Sequence, residues 1–117
     1  MMRKRLYEAL SDLASLDFQI KYCVNATQEE YMLPEEMVES AISTIETVLS
    51  SDKQRTSYGD SELEALRGFI KVAKERFEAL DIANQSVQNL ILRDSNWSGI
   101  RQAAATCLAH LERLPHA

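Results

Sequence analysis

Between Gln28 and Glu39 the chain reads QEEYMLPEEMVE, five carboxylates in twelve residues with no lysine or arginine among them. Carboxylates three or four apart on a helix, such as Glu35 and Glu39 or Glu36 and Glu39, lie side by side. Such a pair can divide the work of general acid and general base only if one member is desolvated enough to hold its proton. Nothing in the surrounding sequence encloses these groups. Glu35 and Glu36 follow Pro34, a residue suited to the first helical position, and acids in a first turn complement the positive end of the helix dipole. Their chemistry is therefore read as electrostatic rather than catalytic.

The nucleophiles and metal ligands are sparse. Cys23 and Cys107 stand far apart in helical apolar patterns and read as buried free thiols. His110 falls on a helix, where a structural histidine is expected, and His116 is next to last. These four residues lack the paired spacing of a structural zinc site, and no Glu-x-x-His pair suggests a carboxylate di-iron centre. There is no glycine-rich phosphate loop and no Gly-x-Ser-x-Gly elbow. No metal and no cofactor is expected, and an enzyme assembled from residues without local signatures is the least favoured reading.

Charge is unevenly placed. The 31 residues between Lys21 and Lys53 contain Glu29, Glu30, Glu35, Glu36, Glu39, Glu46 and Asp52 and no basic residue, giving that stretch −7 in a chain whose total is −5. A solvated helix gains slightly by interleaving opposite charges at i and i+4, and that gain is forgone here. A positively charged partner would recover it, since complementary potentials speed encounter and reject wrong partners. Tyr31 in the same stretch and Tyr58 just beyond it supply the aromatic type enriched in binding hot spots. The candidate partner-binding residues are thus Glu29, Glu30, Tyr31, Glu35, Glu36, Glu39, Glu46 and Tyr58. Arg3, Lys4 and Arg5, with Lys71, Lys74 and Arg76, read as a solvated face, because the negative total opposes approach to a phosphate backbone.

The elements that must hold these residues are all helical. Leu6, Leu10, Leu13, Leu16, Ile20 and Cys23 recur at spacings of three and four and predict a first helix from Arg3 to about Val24. Thr27 and Glu30 have capping-box spacing. A second helix is predicted from Pro34 to Leu49, burying Val38, Ala41, Ile42, Ile45, Val48 and Leu49 and turning its glutamates outward. Ser50–Ser61 is rich in turn formers and reads as the one clear loop. A third helix, capped by Asp60 or Ser61 with Glu64, could run for about 30 residues on a stripe from Leu63 to Ile91. Its weak place is DIANQS, 81–86, which holds several residues of low helix propensity. Asp94, Ser95 and Asn96 then stop one helix and cap a fourth through Trp97, Ile100, Ala104, Cys107, Leu108 and Leu111, ending before Pro115.

The 117 residues read as a single all-α domain, an antiparallel bundle of four main helices, or five if the third breaks near 81–86. Hydrophobic residues at 45% and charged residues at 26% suit a globular chain, and no apolar window long enough for a membrane span or a signal peptide is found, so a cytoplasmic protein is expected. The expected function is a non-catalytic protein-binding module that sets an acidic helix surface against a basic protein partner, with no role for nucleic acid or membrane. In size, helicity and charge the chain is similar to small acidic helical immunity proteins, a resemblance that implies an inhibitor neutralising a basic toxin. The alternative is a homodimer or other homo-oligomer paired through the long third helix.

Overall fold

The computed structural model describes residues 2–25, 27–29 and 31–113, and among them the chain is mostly helical with no strand. Four long helices carry the fold: α1 (Met2–Ala14), α3 (Pro34–Ser50), α5 (Asp60–Ala79) and α7 (Ser95–Arg113). α1 packs on α3 and α7, and α5 packs on α7 and α3, so the four close into a ring around one core. Leu6, Leu10, Leu13, Val38, Ala41, Ile45, Val48, Leu66, Trp97, Ile100 and Leu111 are completely enclosed within it. Shorter segments fill the connections: α2 (Leu16–Gln19) running into a π-helical turn (Ile20–Val24), α4 (Asp52–Arg55) and α6 (Val87–Arg93).

The first helix is not continuous to Val24. Ser15 leaves helical geometry, with φ −97° and ψ 110°, and its Oγ accepts the Phe18 N–H at 3.1 Å, so it caps a new helix. The break rotates the following turns. Leu16, expected inward, is 37% exposed, while Gln19 and Cys23 take the core positions. Gln19 is a polar side chain at zero exposure, yet its bonds are made: Nε2 donates to the carbonyls of Asp12 (3.1 Å) and Leu13 (2.7 Å), and Oε1 accepts the Trp97 indole N–H at 3.0 Å. The carbonyls released where α1 ends are thus satisfied from inside the protein, and the same amide ties the break to α7. Beyond Gln19 the chain widens into the π turn, closed by the Asn25 N–H on the Ile20 carbonyl at 2.8 Å.

α3 begins at Pro34 as expected and runs one residue further, to Ser50. Its inward face includes Met37 and Thr44, with Ile42 and Leu49 only partly covered. The Ser50–Ser61 loop contains α4, one turn capped by Ser51 Oγ on the Gln54 N–H at 3.3 Å. The N-cap of α5 is Gly59, not Asp60 or Ser61. Glu62 rather than Glu64 reaches back to accept its N–H at 3.0 Å.

The long third helix does break. α5 ends at Ala79, and residues 80–86 are held by side chains: Asp81 accepts the Asn84 N–H at 3.2 Å, and Gln85 Nε2 donates to the Asp81 carbonyl (2.9 Å) and to Asp94 Oδ2 (2.8 Å). α6 is capped by Ser86, and Asp94 ends α6 while its Oδ1 accepts the N–H groups of Asn96 (2.8 Å) and Trp97 (3.1 Å) that open α7. Gly99 gives room to the Arg76 side chain from the C-terminal end of α5, whose Nε would lie 2.9 Å from any Cβ placed there.

Candidate docking surface

On an α-helix each residue advances about 100°, so Glu35, Glu36, Glu39, Ser43, Glu46 and Ser50 fall within roughly 100° of the α3 circumference. Met37, Val38, Ala41, Thr44, Ile45 and Val48, all buried, occupy the opposite side. The carboxylates therefore share one outward flank. Glu36 and Glu39 are exposed and Glu35 is half-buried, and among the described residues no cation is paired with any of the three. Glu29 is exposed just ahead of the helix, whereas Glu30 lies outside the described residues, and with it the capping box expected with Thr27.

One of the expected contacts is corrected, and another is paired within the molecule. Tyr58 is 7% exposed and belongs to the core cluster, so it is not presented to a partner; the loop that carries it folds its ring inward. Glu46 is bound within the molecule, its Oε2 lying 2.7 Å from Lys74 Nζ on α5 with both side chains about half exposed (51% each). A bridge so open to solvent screens its charge only in part. Asp52 similarly holds Arg55 at 2.6 Å. The acidic flank is accordingly concentrated at the N-terminal half of α3.

Next to that half lie the most exposed large apolar side chains of the region, Tyr31 at 58% and Leu33 at 40%. Met32 between them packs on the core, and its N–H donates to the Tyr22 carbonyl at 2.9 Å, which fastens the segment along the π turn. Phe18 and Tyr22, one turn apart, pair their rings at 4.6 Å, and Lys21 Nζ stands 4.9 Å from the centre of the Tyr22 ring. This aromatic pair was legible only as an i, i+4 spacing, and nothing local distinguished it from core.

Among the described residues, one cavity gathers side chains of nucleophilic and acid–base type. Cys107, His110, Glu64 and Ser61 line a shallow cavity of about 340 Å³ between α5 and α7. Burial pushes the Cys107 thiol up to about 11, and its S–H donates to the Ala65 carbonyl at 3.6 Å. Cys23 is likewise pushed up to about 11, first by burial and then by the charge of Glu35, and sits 3.9 Å from the Met37 sulfur. Both thiols are held in the protonated form, the reverse of an activated nucleophile. A wider groove of about 820 Å³ beside α4 and α5 mixes Arg55, Arg67 and Lys71 with Asp60 and Glu64 over a floor of Tyr58 and Leu63. Among the described residues no three His, Cys, Asp or Glu side chains gather as a metal site, and no helix is long and apolar enough to cross a membrane.

In comparisons with known proteins, no family model, curated protein or solved structure matched the chain.

Proposed function

We propose that this protein is a non-catalytic binding module that docks the N-terminal half of α3, with residues 29–33 before it, onto a basic surface of another protein, in the manner of an inhibitor or immunity-type partner. One observation carries the reading: exposed Glu36 and Glu39, with half-buried Glu35 beside them, have no paired cation among the described residues and stand next to outward-facing Tyr31 and Leu33. Aromatic and apolar anchors beside a charged rim are a composition that interfaces favour. Like charges kept together cost a helix a little stability, and a basic partner returns that cost as faster association.

The rival expectation, pairing of two copies through the third helix, began from an apolar stripe of about 30 residues. α5 stops at Ala79, and its buried face is taken up by α7 and α3. The continuous stripe from which that pairing was argued is interrupted at 80–86, although Val87 and Leu92 on α6 stay exposed.

The test is comparative capture from the source cell with the wild-type protein and with the Glu35→Lys/Glu36→Lys/Glu39→Lys variant, followed by association kinetics on the purified partner. The expected partner is basic and is lost by the variant. Its association rate with wild type falls steeply with salt, and the reversal slows it on the order of tenfold or more at low ionic strength. A partner whose on-rate is the same for both proteins would remove the proposal.

A further inference from the structure

The docking surface has two parts of different character, and their spacing limits what can sit on it. Leu33 is extended, with φ −85° and ψ 128°, and burial alternates along residues 31–33. Met32 turns to the core while Tyr31 and Leu33 face out. The segment is fixed by the Met32 N–H on the Tyr22 carbonyl at 2.9 Å, which lowers the ordering cost of using its two outward side chains. Beyond Pro34, Glu35 and Glu39 stand one turn apart, about 6 Å along the α3 axis, with Glu36 beside them.

A partner strand has little to pair with here. Strand addition needs a sheet edge, and the described residues contain no strand. A helix fits better: its own i, i+4 residues repeat at the same 6 Å as Glu35 and Glu39, and rows of side chains on two helices interlock at this spacing. The charge sign then sets the polar residues, and Tyr31 with Leu33 sets the apolar one. Resting on the reading of this surface as a docking site, we infer that the element it receives is a basic amphipathic helix. A large apolar side chain of that helix seats against Tyr31 and Leu33, and lysine or arginine one to two turns away meets Glu35, Glu36 and Glu39.

Three synthetic peptides of equal net charge test this: a helix-forming peptide with one leucine-lined face flanked by lysines, a scrambled peptide of the same composition, and oligolysine. Each is titrated into the nitrogen-15 labelled full chain, into Tyr31→Ala/Leu33→Ser, and into the triple lysine variant, with circular dichroism verifying that each variant is folded. The amphipathic helix is expected to shift the amides of residues 31–39 and to bind at least tenfold more tightly than the scrambled peptide. Tyr31→Ala/Leu33→Ser is expected to abolish that tenfold preference while leaving the weak oligolysine binding in place. If all three peptides bind alike and the Tyr31 and Leu33 substitutions change nothing, the amphipathic helix is overturned although an acidic docking face survives. If no peptide shifts residues 31–39, or the triple variant binds them as well as wild type does, the docking face falls with it.

Discussion

Replacing Gln19 with leucine should destabilise this protein more than its polar character at a helix break would suggest. The side chain is wholly enclosed and makes three bonds, two donated to the carbonyls of Asp12 and Leu13 and one accepted from the Trp97 indole. Asp12 keeps a second donor, the Ser15 N–H at 3.3 Å, so the groups left most exposed to loss are the Leu13 carbonyl and the Trp97 N–H. Each buried polar group deprived of its partner costs about 1–3 kcal/mol, and the added apolar surface of leucine returns about 1–2 kcal/mol. With two groups stranded at a mid-range cost of about 2 kcal/mol each, the net is a loss of about 2–3 kcal/mol, a large part of the 5–15 kcal/mol available to a domain. At roughly 4 °C per kcal/mol for a chain of this length, the thermal midpoint should fall by about 8–12 °C. Urea denaturation followed by far-ultraviolet circular dichroism should show the midpoint moving down by about 1–2 M with the slope unchanged. A double-mutant cycle separates the bond from the packing. Gln19→Leu combined with Trp97→Phe should cost less than the two single changes added together, because phenylalanine has no N–H to strand. A Gln19→Leu protein as stable as wild type, or a strictly additive cycle, would refute the account of the break.

Asp94→Ala should cost about 1–2 kcal/mol in denaturant titrations, since one carboxylate receives Asn96, Trp97 and Gln85 at the α6–α7 corner. Burial works to raise the pKa of Asp94, but the bonds from Gln85 and from the Trp97 and Asn96 N–H groups outweigh it and hold the carboxyl below its ordinary value. The stability this contributes is present above pH about 4 and is lost as the pH falls below it, so the variant should show a shallower decline between pH 4 and 2. Asp12, raised by burial and by the charge of Glu8, titrates with the opposite sign and should remain in that variant. With both thiols raised from 9.0 to about 11, a disulfide reagent at pH 8 should meet about a hundredfold less thiolate in the folded protein than in the unfolded one. Stability from this source is full below pH 9 and is lost as the pH climbs towards 11, which an alkaline denaturation series checks. Glu46→Gln should change stability by less than about 1 kcal/mol, because its bridge to Lys74 is half exposed, and a larger loss in thermal denaturation would contradict the geometry.

What could be read without coordinates followed local chemistry. Pro34 marked the start of α3 and the stripe at Val38, Ala41, Ile45 and Val48 marked its inner face; the low-propensity run at 81–86 marked where the third helix would give way. The Ser15 break escaped notice because Leu13, Leu16 and Ile20 continue a perfect helical spacing through it. Only the long-range bond from Gln19 to Trp97, 78 residues away, reveals why the chain turns there. The docking residues divide in the same way. The flank of Glu35, Glu36 and Glu39 follows from helical periodicity alone. Tyr58 was misplaced because a run of turn formers suggests an exposed tip, while tertiary packing drew its ring under the loop. The capture of Glu46 by Lys74 joins residues 28 apart on different helices, and no local pattern encodes it.

The single tryptophan, sealed away from solvent where α7 meets the first helix break, also makes the molecule its own optical instrument. Four tyrosines share the chain, so only the tryptophan emission reports on one place in the fold. Occupancy of the acidic flank should leave the red-edge signal steady, and loss of the native interior should shift it. Melting can then be told from recognition in one cuvette, with no label attached, because only melting moves that signal.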